Sequence, residues 1–122
     1  MSFFRFWQSL KDAANGIYYA FCHEQNFRLQ IVIGIAVLLS AFILDIRTHE
    51  KIVILLLITW VLSLELLNTA IEKFLDLLKP RLHTHVATIK DIMAAVVLIS
   101  SVGACLIGCI IFEPYLVELL VG

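Results

Sequence analysis

Three long apolar stretches, each bounded by charged residues, dominate the hydrophobic pattern of the chain. Residues 29–44 and 52–64 carry no charge, and Ile92 to Phe112 forms a further uncharged run of about 21 residues. A helix needs about 20 mostly apolar residues to cross the hydrocarbon core of a bilayer. The pattern therefore predicts three membrane-spanning helices, over about 28–46, 51–78 and 90–112.

The N-terminal stretch has a different pattern, in which aromatic side chains alternate with charged and amide side chains as far as His23. This mixture is typical of an amphipathic helix that lies in the headgroup region of a membrane. It predicts a surface helix over about 3–22, in which we expect Gly16 to mark a bend or a close approach. Together these elements predict one all-α membrane domain over residues 1–122.

The loops on the two sides of the predicted spans differ in basic content. Three spans place the N-terminus and the loop predicted at 79–85 on the same side of the membrane. That side carries Arg5, Lys11, Arg28, Lys79, Arg81 and Lys90. Short loops rich in Lys and Arg face the cytoplasm, so we predict that this side is cytoplasmic.

The second span is interrupted by polar residues on one face. Glu65, Asn68, Glu72 and Asp76 follow one another at spacings of 3, 4 and 4. At about 100° per residue they fall within a stripe roughly 80° wide, and it extends over about 16 Å of helix. A solvated face of a soluble helix would give the same stripe. However, an ionisable group that follows an uncharged run inside a span is costly, so it is a functional candidate.

Composition supports a membrane protein and excludes some other classes. The chain has 122 residues, of which 61% are hydrophobic, and a mean hydropathy of +0.98. This is too apolar for an ordinary soluble domain. The formal net charge of -1 gives no indication of nucleic-acid binding. Three cysteines, an odd number, are expected to be small core residues rather than a disulfide or metal framework.

The charged residues expected near the cytoplasmic surface suggest phosphate chemistry. Glu24, Glu72 and Asp76 are carboxylates that suit a divalent metal ion, and Arg81 and Lys90 are cations that suit phosphate. Mg²⁺ in proteins is commonly held by one or two carboxylates together with substrate phosphate oxygens. Phosphoryl transfer needs such charges and a base for the attacking hydroxyl.

Glu65 is the candidate for that base. It lies deeper in the predicted span than the other carboxylates, at a depth where the hydroxyl of a lipid could be presented to it. A carboxylate removed from water is also a stronger general base. The chain contains no Gly-rich phosphate loop of the Walker type, so any nucleotide site would be unusual.

Two strings of residues resemble a known signature. They are Glu-Leu-Leu-Asn-Thr-Ala-Ile-Glu at 65–72 and Lys-Asp-Ile-Met-Ala-Ala at 90–95. Together they are similar to the small bacterial integral-membrane lipid kinases of the diacylglycerol kinase and undecaprenol kinase family. The resemblance covers nearly the whole chain, including Arg5, Gly16, Glu24 and His83.

The resemblance implies a homotrimer of three-span chains in a bacterial inner membrane, with composite active sites between neighbouring chains and with Mg²⁺ and ATP as cofactor and co-substrate. By matching position, it implies that Glu65 is the catalytic base and that Asn68 supports it. It further implies Mg²⁺ ligands at Glu24 and Glu72, and nucleotide contacts from Arg5, Arg81, His83, Lys90 and Asp91.

Two functions are therefore open from the sequence, beside a degenerate family member that serves only as a structural partner, which the retained acidic residues disfavour. The first is a kinase that transfers the γ-phosphoryl group of ATP to the hydroxyl of a lipid alcohol, either diacylglycerol or undecaprenol. The alternative is a non-catalytic membrane assembly that relays protons along Glu65, Glu72 and Asp76, a common use of intramembrane acids. Cations at the cytoplasmic mouth, such as Lys90, favour the kinase, because a proton path does not need them.

Overall fold

A computed structural model describes residues 2–122, which form four α-helices. They are α1 (Phe3–His23), α2 (Gln25–Ile43), α3 (Thr48–Asp76) and α4 (His83–Val121). Within the described residues, α2, α3 and α4 are long and apolar enough to cross a membrane. The prediction of an all-α chain with three spans is therefore confirmed. Helix α3 is the centre of the bundle, because both α2 and α4 pack against it and α1 touches α2 and α3.

Helix α1 is continuous, and it leads into α2 with a single change of direction. Its first turn is capped by Ser2, whose Oγ accepts a hydrogen bond from the backbone N–H of Arg5 at 3.2 Å. The helix passes through Gly16 without a break, and the close approach expected there is not made within residues 2–122, since no atom beyond the local backbone lies within 4 Å of where a Cβ would stand. Glu24 lies between the two helices with extended backbone angles, φ −115° and ψ 108°.

Helices α2 and α3 approach each other closely at Gly34. A Cβ at this position would lie 3.2 Å from Cγ2 of Ile58. Small residues at helix contacts let two backbones approach, which increases van der Waals packing between helices in a membrane. A side chain at position 34 would therefore require Ile58 to shift by a few tenths of an ångström.

The apolar core lies towards the end of the bundle that holds the α2–α3 connection. Its buried residues are Ala41, Ile46, Ile54 and Ile111, so α2, the connection, α3 and α4 each contribute to it. The connection turns back at Asp45, which has a positive φ of 51°, a conformation that Asp adopts more readily than most residues. The turn directs Ile46 into the core, where it is 2% exposed.

Polar contacts close the same end of the bundle. The hydroxyl of Tyr115 on α4 donates to Oε1 of Glu50 on α3, and it accepts a hydrogen bond from the backbone N–H of Arg47 at 3.2 Å. Next to them, Nζ of Lys51 lies 3.4 Å from Oδ1 of Asp45. We call Arg47, Glu50 and Tyr115 the outer cluster, since the prediction of a cytoplasmic N-terminus places it on the opposite face of the membrane.

Helix α4 is longer than the predicted span at both ends. The 79–85 loop is shorter than expected, because α4 already begins at His83 and the backbone N–H of Val86 donates to the carbonyl of Leu82 at 2.9 Å. At the other end the helix continues past residue 112 and through Pro114 to Val121. Proline removes one helical hydrogen bond. The anchored Tyr115 and the leucines that follow, which are good helix formers, maintain the helix beyond it.

The prediction that the three cysteines are small core residues is wrong within this chain. Cys22, Cys105 and Cys109 are all exposed and free. Cys105 and Cys109 lie four residues apart in α4, so they share a face that points away from α3. That face is covered by lipid or by another chain when the helix spans a membrane.

Candidate functional site

A polar cleft lies between α2, α3 and α4, on the side of the core that faces the α1–α2 junction. Its volume is about 390 Å³. Helix α3 contributes three of the four residues of the predicted polar stripe, and α4 contributes a mostly apolar wall. The lining residues are Asn26, Gln30, Glu65, Asn68, Glu72, Ala94, Val97, Leu98 and Ser101.

Glu65 is the most deeply buried polar residue of the cleft. It is 1% exposed, and its Oε2 accepts a hydrogen bond from Nε2 of Gln30 at 3.5 Å. One turn further along α3, Oγ1 of Thr69 donates to the backbone carbonyl of Glu65 at 3.0 Å. A buried carboxylate is normally matched by strong donors or by a cation. Among residues 2–122, Glu65 receives one long hydrogen bond, from the neutral amide of Gln30, so these residues leave its charge largely uncompensated.

Two further acceptors in the cleft have no partner. Among residues 2–122, Oε1 of Gln30 and Oδ1 of Asn68 are buried without a hydrogen bond. Buried polar atoms are satisfied in most native structures, so each of these atoms calls for an explanation. Both oxygens are suited to accept from a substrate hydroxyl or to coordinate a cation. Glu65 and Asn68, the two residues predicted from the sequence to carry the chemistry, both line the cleft.

Glu72 lines this cleft, and Glu24 stands at the α1–α2 junction next to the lining residue Asn26 without lining the cleft itself. Both are partly exposed, and both are close enough to Glu65 for their charges to act on it. Residues 2–122 contain no group of three or more His, Cys, Asp or Glu side chains arranged to hold a metal ion. Two carboxylates and the free Asn68 oxygen are nevertheless a hard-oxygen donor set, which suits Mg²⁺ that also binds substrate phosphates.

Lys90 stands at the end of the cleft, one helical turn before Ala94. Its Nζ donates to Oδ1 of Asp76 at 3.0 Å, and Nζ of Lys79 lies 3.9 Å from the same oxygen. Asp76, the last member of the polar stripe, is exposed and is not part of the cleft lining. The structure thus separates Asp76, which holds a cation in place, from the three stripe residues inside the cleft.

The remaining predicted nucleotide contacts lie outside the cleft of this chain. Arg81, His83 and Asp91 are exposed around the start of α4. Arg5 is exposed near the start of α1, and Glu24 follows it 19 positions later, which corresponds to about 28 Å of helix. One chain therefore does not bring Arg5 to Glu65, and its role stays a prediction.

Sequence reasoning missed several residues of the site. Gln30, Asn26 and Ser101 line the cleft but were not predicted. Gln30 had a detectable signal, since it is a carboxamide within the uncharged run of the first span. Asn26 and Ser101 had none, because the amide sits in an already polar segment and serine is common in membrane helices.

The fold and the cleft define the class of this protein. Three helices that are long and apolar enough to cross a membrane, with a buried carboxylate and unpartnered amide oxygens between them, are typical of an integral membrane protein with a polar site among its spans. An acid at this position is a functional site by default.

Comparison with known proteins identifies the family. A family model described as prokaryotic diacylglycerol kinase matches residues 11–112. Undecaprenol kinase of Bacillus subtilis (strain 168) is 38% identical over 112 residues, covering 92% of this chain and 91% of that protein. Diacylglycerol kinase of Synechocystis sp. is 35% identical over 114 residues, covering 93% of this chain and 65% of that protein. Diacylglycerol kinase of Escherichia coli (strain K12) is 31% identical over 99 residues, or 79% of each chain.

The chain therefore belongs to the prokaryotic diacylglycerol kinase family, a family of lipid kinases. The resemblance inferred from residues 65–72 and 90–95 is confirmed.

Proposed function

We propose that this protein is an ATP-dependent kinase that phosphorylates the hydroxyl of a membrane lipid alcohol, either diacylglycerol or undecaprenol. The products would be phosphatidic acid or undecaprenyl phosphate. The observation that carries the proposal is the position of Glu65, which is buried at 1% exposure in a cleft between spans. There its carboxylate can meet the hydroxyl of a lipid that stays in the bilayer.

Glu65 acts as the general base in this proposal. Its carboxylate takes the proton of the lipid hydroxyl while the hydroxyl oxygen forms a bond to the γ-phosphorus of ATP. The bond between that phosphorus and the β,γ-bridging oxygen breaks, and ADP leaves with the electron pair. Gln30, which donates to Oε2 at 3.5 Å, orients the carboxylate, and the free Oδ1 of Asn68 accepts from the incoming hydroxyl or faces the metal.

Glu24 and Glu72 would hold Mg²⁺, whose charge stabilises the phosphate oxygens during transfer. Lys90, fixed by Asp76 at 3.0 Å, supplies a cation at the mouth of the cleft for the nucleotide phosphates. Asp91, Arg81 and His83 surround the same mouth and are proposed to contact the nucleotide. In this arrangement the lipid enters from the bilayer, and the nucleotide enters from the water on the cytoplasmic side of an inner membrane.

A homotrimer with composite sites accounts for what one chain leaves incomplete. The cleft of a single chain is open, and Arg5 is about 28 Å along α1 from Glu24. A neighbouring chain would cover the exposed faces of α2 and α4 and could supply its own α1 to the mouth of the cleft. The proposed assembly is therefore supported by the distance between Arg5 and the cleft and by the exposed apolar surface of the spans.

The lipid is the part of the proposal that the relatives constrain least. The proteins reported above are named for undecaprenol in one case and for diacylglycerol in the others. Their identities to this chain, 38%, 35% and 31%, are too similar to choose between the two alcohols. Both alcohols present one hydroxyl to Glu65, so the choice depends on how the tail packs on the apolar wall of α4.

The test is a phosphorylation assay with the purified full-length protein in detergent micelles. ATP labelled in the γ-phosphate and Mg²⁺ are supplied with diacylglycerol or undecaprenol in parallel, and labelled lipid is measured. We expect label in one or both lipids only when Mg²⁺ is present. Label in neither lipid would contradict the proposal, and proton flux in liposomes without ATP would then favour the relay along Glu65 and Glu72.

A further inference from the structure

We propose that Tyr19 and Lys73 are positioning residues that hold α1 against α3 and so limit the position of Glu24 relative to Glu72. The inference deepens the proposed function and rests on it, because it concerns how the two predicted Mg²⁺ ligands are kept at a fixed separation. Neither residue lines the cleft or belongs to the predicted site, and the contact between them joins α1 directly to α3.

Glu24 needs such a constraint because of where it lies in the chain. It separates α1 from α2 and has the extended backbone angles φ −115° and ψ 108°. The direction of its side chain therefore depends on the angle between the two helices. Ala20 is the buried residue of α1 between Phe3 and His23, so apolar packing alone attaches this helix to the bundle at little more than one point.

The junction itself is held by hydrogen bonds on the α2 side. One guanidinium nitrogen of Arg28 donates to the carbonyls of Phe21 and Cys22, at 2.7 and 3.1 Å. These bonds cap the end of α1 and fix it relative to α2. They do not fix α1 relative to α3, which carries Glu72.

The contact between Tyr19 and Lys73 supplies that second constraint. Nζ of Lys73 donates to the Tyr19 hydroxyl at 2.7 Å and lies 4.3 Å from the centroid of the same ring. The imidazole ring of His23 stacks on the ring of Tyr19, with centroids 4.1 Å apart and an angle of 18° between the rings. Lys73 directly follows Glu72, and Tyr19 lies five residues before Glu24 on the last turns of α1.

An exposed contact of this kind contributes little to global stability, since cation–π and surface polar contacts are weak in water. Its effect on the metal site should be larger. Contacts that orient the ligands of a metal commonly change affinity by about 10- to 100-fold. A contact that acts through the backbone of α1 is expected to give less than this, and we expect about a fivefold change.

The experiment measures Mn²⁺ binding, because Mn²⁺ shares the oxygen ligands of Mg²⁺ and its free form is quantified by electron paramagnetic resonance. The full-length protein in detergent is titrated in the presence of a non-hydrolysable ATP analogue. We expect Lys73→Met and Tyr19→Leu each to weaken Mn²⁺ binding about fivefold. The double variant should be no weaker than either single variant, because both substitutions remove the same contact. Tyr18→Leu, which changes the neighbouring exposed tyrosine, is the matched control and should bind as the wild type does.

A second measurement needs no metal. Hydrogen exchange of the backbone amides over residues 19–24 should be faster in Lys73→Met than in wild type, while α3 and α4 remain protected, which also shows that the variant is folded. Equal exchange over 19–24, Mn²⁺ binding within twofold of wild type for both single variants, or additive losses in the double variant would overturn the inference. If the wild type phosphorylates lipid but any of these three contradicting outcomes is found, the inference about Tyr19 and Lys73 fails and the proposed function stands. If the wild type neither binds Mn²⁺ nor phosphorylates lipid, the proposed function fails and the inference fails with it.

Discussion

The two ends of the three-span bundle satisfy their polar groups to different degrees. At the outer end, Tyr115 bonds to Glu50 and to the backbone of Arg47, directly above a core of buried aliphatic residues. In the cleft, Glu65 has one bond at 3.5 Å, and Asn68 Oδ1 has no partner among residues 2–122. Unsatisfied buried groups cost free energy. The unsatisfied groups of the cleft therefore cost stability, whereas the polar groups of the outer end are paired.

The boundaries of the family match separate the two ends at one residue, Tyr115. The matched residues 11–112 include Glu65, Asn68 and Glu72, whereas Tyr115 lies beyond the last matched residue. The cleft thus belongs to the part of the chain shared with the family, whereas one of the three residues of the outer cluster, Tyr115, does not. If the two ends are separate in this way, substitutions at one end should change turnover and those at the other should change stability.

The largest expected effect comes from Glu65→Gln, which keeps the shape of the side chain and removes its ability to take a proton. We expect the rate of lipid phosphorylation to fall by about 10³-fold or more, since general base catalysis contributes up to about 10⁴-fold. Nucleotide binding, measured by titration with a non-hydrolysable ATP analogue, should remain within about threefold of wild type.

The matched control for this variant is Glu50→Gln, the same change at the outer end. It should retain turnover within about twofold at low temperature and lower the thermal midpoint, because Glu50 accepts from Tyr115 and from the backbone of Arg47. Full activity of Glu65→Gln would remove Glu65 as the base. Equal losses of turnover in both variants would show that the two ends do not divide turnover and stability between them.

The second expected effect is on stability and comes from Ile54→Ala in the outer core. Ile54 is 2% exposed, and truncation removes packing contacts that relaxation restores only in part, at a cost of about 2 kcal/mol. The measurement is the unfolding free energy in mixed micelles as the fraction of denaturing detergent is raised. Turnover of the folded variant should be unchanged.

Leu55→Ala is the control, since this neighbour is 53% exposed and faces away from the bundle. It should cost much less than Ile54→Ala, because lipid is as apolar as leucine and takes its place. If both variants were equally destabilised, the core described for the outer end would be contradicted.

How much of the fold and of the site could be predicted from sequence depends on how far apart in the sequence the residues of each feature lie. The three spans and the grouping of Glu65, Asn68 and Glu72 follow from local rules, namely run length and helical period, and all three residues line the cleft. Helix α1 continues through Gly16 because the surrounding helix formers are sufficient to carry it past one glycine. A single glycine lowers helix stability and does not by itself end a helix.

Contacts between distant segments left no such signal. Gln30 lies 35 residues from Glu65, and Tyr115 lies 65 residues from Glu50. Periodicity reports which face of one helix a residue occupies, but not the register between two helices. The helical course of α4 beyond Pro114 was missed for the same reason, since it is the long-range anchor at Tyr115 that supports the helix there.

The third prediction uses one of these missed contacts. Gln30→Leu keeps a side chain of similar volume and removes the N–H that donates to Glu65 at 3.5 Å. The carboxylate is then less well oriented, and we expect kcat/KM for lipid phosphorylation to fall about tenfold. Gln8→Leu on exposed α1 is the control and should behave as wild type. Wild-type kinetics for Gln30→Leu would show that Gln30 has no part in orienting Glu65.

The smallest expected effect is at the outer cluster, where Tyr115→Phe removes one hydroxyl and keeps the ring. Its loss leaves the Arg47 backbone donor and Glu50 with one partner fewer. Water reaches this end of the bundle, so the cost should be about 1 kcal/mol of unfolding free energy, with turnover unchanged. The double variant Tyr115→Phe with Glu50→Gln tests whether the cost in unfolding free energy comes from the bond between these two side chains. If the two groups act through their mutual bond, the double variant should cost less than the sum of the singles. Additive costs would show that the outer cluster does not depend on that bond, and that the apolar core alone stabilises this end of the bundle.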